Sequence, residues 1–230
     1  MNHEPPTILI TGSPCGICHQ VVRLLAEWEC DFVVTGRDRG ALAKTADLLS
    51  HETGQSVSCL PLDATNPESL TEAAAVFGQS HTHLDVLITQ AGIDDQTDRS
   101  ILDVEPETIQ AILLTSILGP LLTARAFLPW LRRASPGGRV IHLAPDAGEL
   151  RPHMAPSSPI SAISKTALGA VTRQLAQTLR PERIAVNSVC PSRARTDQAE
   201  QPENSNLHGA ETVVWLATEA PLSVTGRILA

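Results

Sequence analysis

The sequence predicts an α/β fold, a doubly wound parallel sheet in a single domain, and three observations carry that expectation. Short, continuous β-branched runs alternate with longer stretches of helical periodicity from one end of the chain to the other. Alternation of this kind means parallel strands joined by crossover helices on both faces of a sheet. The first strand runs straight into a glycine turn, and no internal repeat or linker-like stretch divides residues 1–230.

Each element follows in order. "TILITG" (7–12) is apolar and continuous, as a strand covered on both faces must be. "GICHQVVRLLAEWE" (16–29) sets Ile17, Val21, Leu24, Leu25 and Trp28 on one helical stripe. A strand "DFVVTG" (31–36), a helix at 40–52, a strand "VSCLPLD" (57–63), a helix at 67–78 and a strand "LDVLITQAG" (84–92) come next. A long helix is expected over 106–133, opened by Pro106 at a first-turn position, where its missing N–H costs nothing. Strand "GRVIHLA" (138–144) leads through a proline- and serine-rich loop to a helix at 158–180. Strand "RIAVNSVC" (183–190), a helix at 209–219 and a short strand "TGRIL" (225–229) close the chain.

Composition narrows the function classes. Hydrophobic content of 42% with 18% charged residues is that of a globular chain. A net charge of −8 and the lack of any basic run argue against a nucleic-acid surface. Arg132 and Arg133 in "WLRRA" suit a helix end, where cations complement the dipole. No apolar run of membrane-spanning length and no basic-then-apolar leader are read, so a cytoplasmic location is expected. The five cysteines are odd in number and scattered. Cys15 and Cys18 have C-x-x-C spacing, but no second pair accompanies them and they fall in the glycine turn, so neither a metal nor a redox pair is expected.

In "ITGSPCGICHQ", Gly12 and Gly16 lie between the first strand and first helix. Glycines there permit a tight turn and close backbone approach to a pyrophosphate, which sits on the helix N-terminus. Arg37 follows the second strand where a carboxylate would bind a ribose 2′-hydroxyl, so a 2′-phosphate is accommodated; the competing reading is a solvated loop arginine. Asp63 ends the third strand at the carboxyl edge, where ligands of open α/β sheets bind.

Over nearly its whole length the chain resembles the short-chain dehydrogenase/reductase family, carbonyl-reductase-like members above all, with their Rossmann fold. "TGSPCGIC" resembles the family's TGxxxGxG turn with Cys18 at the last glycine. "TQAG" (89–92) stands where NNAG is usual, and "RIAVNSVCPSRARTD", "GAETVVWLAT" and "TGRIL" match the closing segments. The resemblance implies NADP(H) bound by Gly12, Ser13, Gly16, Ile17, Arg37, Asp63, Ala91, Gly92, Lys165 and Thr196, with Cys18 weakening the fit. Lys165 would hold the nicotinamide ribose and Thr196 the carboxamide.

The family's proton chemistry uses an asparagine, a serine, a tyrosine and a lysine. Here Ser116, Pro145 and Ser161 stand at the first three positions, and only Lys165 matches; the chain contains no tyrosine at all. An aliphatic hydroxyl is far less acidic than a phenol with its pKa of about 10, and a missing general acid typically costs about 10²–10⁴ in rate. Asp146 and His153, in the loop after the fifth strand, are the replacement candidates; a turn residue and a surface histidine are the plainer readings. His142 is expected to be a satisfied, partly buried residue. Lys165 and Ser161 complete the catalytic candidates.

Three functions follow. The first is a non-redox catalyst (cyclase, isomerase, dehydratase or pericyclic type) acting on a small, largely apolar metabolite with NADP(H) held as a structural or electrostatic cofactor. The second is an atypical NADPH-dependent carbonyl reductase whose proton comes from water, Asp146 or His153. The third is a catalytically silent partner subunit. The polar segment 197–208 suggests an open cleft, and the apolar helix at 106–133 suggests a homodimer or homotetramer.

Overall fold

The computed structural model describes residues 5–12, 17–90, 100–143, 159–190 and 202–229, the side chains of 202–208 excepted. Seven strands run parallel in the order β3-β2-β1-β4-β5-β6-β7. They are β1 (Thr7–Thr11), β2 (Asp31–Gly36), β3 (Val57–Pro61), β4 (Val86–Gln90), β5 (Arg139–Leu143), β6 (Ala185–Val189) and β7 (Ile228–Leu229). The helices between them are α1 (Ile17–Leu25), α2 (Arg39–Thr53), α3 (Pro67–Ser80), α4 (Pro106–Leu113), α5 (Gly119–Leu131), α6 (Pro159–Leu179) and α7 (Pro202–Thr218).

Both sheet faces are apolar because both are covered. Ile8, Ile10, Phe32, Val34, Val86, Ile88, Ile141 and Leu143 pack under α1, α2 and α7, against Val21, Leu25, Leu49, Val213 and Leu216. Leu9, Val33, Leu87, Val140 and Val186 face the other way, against Phe77, Phe127 and Ala176 of α3, α5 and α6. Burying each such side chain stabilises the fold by about 1.5–3 kcal/mol.

Local chemistry sets the helix ends. Asp38 caps α2 by accepting from the Ala41 N–H at 2.9 Å, and Gly54 ends that helix at φ +69. Asn66 caps α3 through the Ser69 N–H, ahead of Pro67 at the first helical position.

Three features differ from the sequence expectation. The helix expected over 106–133 ends at Leu131 and carries a π turn, Leu114–Leu118, between α4 and α5. Pro106–Leu131 is 26 residues long and apolar enough to cross a membrane by length and composition, contrary to the expectation of no such run. It lies on the sheet, giving Thr123, Ala124, Phe127 and Leu131 to the interior. Finally, α7 begins at Pro202, seven residues before the expected 209, so much of the segment read as an open polar loop is helix. Proline at the first turn starts a helix as readily as it ends one.

Candidate active site

The strand order reverses between β1 and β4, and ligands of open α/β sheets bind at the carboxyl ends of the strands flanking such a switch point. Gly12 stands at the end of β1 with φ +90, a backbone conformation that residues with a Cβ rarely adopt. A Cβ added there would come within 3.1 Å of the Gln90 carbonyl oxygen at the end of β4. Glycine at position 12 therefore lets the end of β1 lie close against the end of β4. Ile17 opens α1 with its side chain in the core, which leaves its contribution to the backbone N–H groups of the first turn, unpaired within any helix. Ser13 and Gly16 lie outside the described residues, as do Ala91, Gly92, Asp146, His153 and Thr196.

Cys18 is fully buried, and its thiol donates to Gln90 Oε1 at 2.9 Å. The pair ties α1 to β4 across the turn, a contact that no local pattern in the chain announces.

Arg37 is exposed just past β2. Asp63, two residues beyond β3, accepts from the Thr65 hydroxyl at 2.6 Å and from the Thr65 N–H at 2.9 Å. The Thr65 hydroxyl holds the Asp63 carboxyl below its ordinary range, and the nearby Arg37 guanidinium adds a smaller pull in the same direction. A cation and an oriented carboxylate thus stand together at the strand ends. With Gly12 at the end of β1, they stand at the carboxyl edge where ligands of open α/β sheets bind.

The other half of the site comes from α4, α5 and α6. Ser116 is buried within the π turn, where the extra residue per turn re-aims the backbone. Ser161 and Lys165 are one turn apart on α6. Ser161 is only 3% exposed, whereas Lys165 is half-buried. The Ser164 hydroxyl beside them donates to the Ser161 carbonyl at 2.8 Å. Ser161 is thus the more enclosed of the two and Lys165 the more accessible.

His142 departs from expectation. It is fully buried rather than partly so, and only one of its ring nitrogens is satisfied: Nδ1 lies 2.7 Å from Thr89 Oγ1, and Nε2 has no partner among the described residues. Burial pushes its pKa down to about 4, which keeps the ring neutral. Strand alternation places it on the same face as Val140, and a histidine on an inward face was the available signal.

Comparison with known proteins shows the family and the fold. The short chain dehydrogenase family model matches residues 6–206. An uncharacterised oxidoreductase of Staphylococcus aureus is 29% identical over 188 residues, covering 82% of this chain and 78% of that protein. The crystal structure of a short chain dehydrogenase from Mycobacterium smegmatis superimposes with a TM-score of 0.82 at 24% identity, covering 98% of this chain and 91% of the other. A metagenomic short-chain oxidoreductase in complex with NADP gives 0.82 at 22% identity, over 98% of this chain and 96% of its own.

Proposed function

The chain belongs to the short-chain dehydrogenase family, and from that premise we propose that it is an atypical NADP(H)-dependent oxidoreductase acting on a small carbonyl compound. The observation that supports the reading is Gly12 at φ +90 at the end of β1, with Arg37 and Asp63 just past the ends of the next two strands. The names of its relatives, oxidoreductases and dehydrogenases, support redox chemistry over the non-redox reading. When bound, the nicotinamide supplies or accepts hydride. The chain's own residues hold and orient: the Gly12 turn and the start of α1 receive the pyrophosphate, Arg37 the 2′-phosphate, Asp63 the base, and Lys165 the nicotinamide ribose. With Ser161 buried, the proton comes from water or from Asp146 or His153. The test is NADPH consumption, followed at 340 nm, with a reactive diketone, together with a product two mass units heavier. Substrate turnover without NADPH consumption would instead support non-redox catalysis, which the replacements at Ser116, Pro145 and Ser161 favour.

Arg37 is expected to set coenzyme choice, because no carboxylate competes for the ribose at the end of β2. Arg37→Ala should weaken NADPH binding by about 10-fold or more, the loss of one or two charge-assisted hydrogen bonds, and leave NADH binding nearly unchanged. Calorimetric titration with both cofactors measures the difference. Equal losses for the two would remove the 2′-phosphate assignment.

We further read the protein as a homo-oligomer in a reducing cytoplasm. Leu118 and Ile163 are 44% and 42% exposed on neighbouring helices, which supports a second copy covering them. The described cysteines Cys18, Cys30, Cys59 and Cys190 are all thiols rather than disulfides. Sedimentation should give a species of at least twice 24.5 kDa at micromolar concentration. A monomer would overturn the assignment.

A further inference from the structure

The middle of the sheet carries a row of polar side chains. The register sets Thr11 beside Thr89, Thr89 beside His142, and His142 beside Ser188. All four are at most 3% exposed. Strand alternation puts them on the face where Leu9, Leu87, Val140 and Val186 pack under α3, α5 and α6. Apolar residues are the rule at such positions in a sheet covered on both sides. His142 stands one residue from the end of β5, on the edge where the candidate active site lies.

Hydrogen bonds account for part of this row. Ser188 Oγ donates to the His142 carbonyl at 3.2 Å, and Thr89 Oγ1 lies 2.7 Å from His142 Nδ1. Among the described residues, the buried side-chain atoms left without a partner are Thr35 Oγ1, out on β2, and His142 Nε2. A threonine hydroxyl rotates to suit its surroundings, but a ring nitrogen fixed by its neighbour does not. Orphaned buried polar groups are rare in native proteins, so a nitrogen of this kind calls for a bound partner.

Counting protons gives the direction of the bond. Were Nδ1–H to donate to Thr89, the threonine hydroxyl hydrogen and the Nε2 lone pair would both be left over. If Thr89 donates to Nδ1 instead, only the Nε2–H is left. The second arrangement leaves one fewer group unpaired, and it makes Nε2 a donor.

We propose that His142 Nε2–H is a binding point for one acceptor oxygen, a buried site on the sheet face beneath the candidate active site. A neutral donor among apolar side chains suits a neutral oxygen. A carboxylate would lose its hydration there without gaining a counter-charge. The oxygen belongs to a water molecule or to the carbonyl of a small compound, and only the second source rests on the function proposed above. A water needs two to four polar partners, and the register sets Thr89 and Ser188 on the strands either side of His142.

The test is nitrogen-15 NMR of the full-length, histidine-labelled protein at pH 5.5–7. The His142 signals are picked out from those of the eight histidines by their loss in His142→Gln. Without ligand, the expected pattern is a protonated Nε2 and an unprotonated Nδ1, with an Nε2–H proton shifted downfield by a hydrogen bond and exchanging at least 10-fold more slowly than exposed ring protons. That result, together with a nuclear Overhauser contact from the Nε2–H to bound water, identifies water. A downfield shift appearing only with NADP+ and butane-2,3-dione identifies the carbonyl source. An Nδ1–H tautomer, or an Nε2–H free of any hydrogen bond in both states, overturns the site. Thr89→Val, close in shape to the native residue, should populate the second tautomer to at least about a tenth; an unchanged pattern would overturn the role given to the hydroxyl. None of these readouts requires turnover, so failure of the oxidoreductase reading leaves the ligand-free result intact.

Discussion

Ser161→Tyr alone is expected to raise NADPH-dependent diketone reduction less than tenfold, whereas the triple variant Ser161→Tyr, Pro145→Ser, Ser116→Asn should gain on the order of 10²–10⁴. Two physical reasons separate the outcomes. Groups that act as a unit are not recovered one at a time, because the phenol needs a second hydroxyl to orient the carbonyl and an amide to complete the relay. Position 161 is also only 3% exposed, and a phenol placed there must move its neighbours, at a cost of about 1–3 kcal/mol for overpacking. Position 116, within the π turn, is likewise only 5% exposed, so an amide there must also displace its neighbours. Steady-state rates at 340 nm on all variants decide the matter. A single variant turning over near the enzyme median of about 10 s⁻¹ would mean that the native pocket already orients carbonyls.

Phe127→Ala is expected to destabilise the fold by about 3–5 kcal/mol, the usual cost of deleting a fully buried aromatic ring. Phe127 meets Phe77 edge to face, with centroids 5.4 Å apart, and Trp130 at 6.2 Å. Trp130 in turn covers Gly78, where a Cβ would come within 2.5 Å of its ring. The chain has only three Phe and three Trp, and half of them are in this cluster, so no ring outside it is on hand to fill the gap. Against a total stability of about 5–15 kcal/mol, urea titration should show a large fall in midpoint with little change in slope. NADPH affinity below the transition should stay within about twofold, because the cluster joins α3 to α5 far from the Gly12 turn. A loss under about 1 kcal/mol would mean that the helices close over the cavity.

Much of the fold is legible in the sequence because buried parallel strands leave so few alternatives. Runs such as "TILIT" and "DFVVTG" have no polar face to offer solvent, and glycine at position 12 answers a conformational need that spacing alone exposes. The placement of Arg37 and Asp63 is legible for the same reason: they lie at strand ends, and strand ends are easy to find. Other features depend on contacts between distant segments. The π turn around Ser116 has no residue type of its own. The helix start at Pro202 lies in a polar stretch without an apolar stripe to mark it. The bond between Cys18 and Gln90 joins residues 72 positions apart. The half-satisfied His142 needs knowledge of what stands beside it on β4 and β6, and no local pattern supplies that.

The topology also divides the molecule's inheritance. Gly12, Arg37 and Asp63 come from the first three strands and the turns that follow them, on one side of the switch between β1 and β4. Ser116 and Ser161 come later in the chain, on the other side. The two sets share a sheet but no strand or helix. Substitutions in the later half can therefore accumulate while the early strand ends keep their fold, and the retained half becomes a foundation on which another chemistry can be tried.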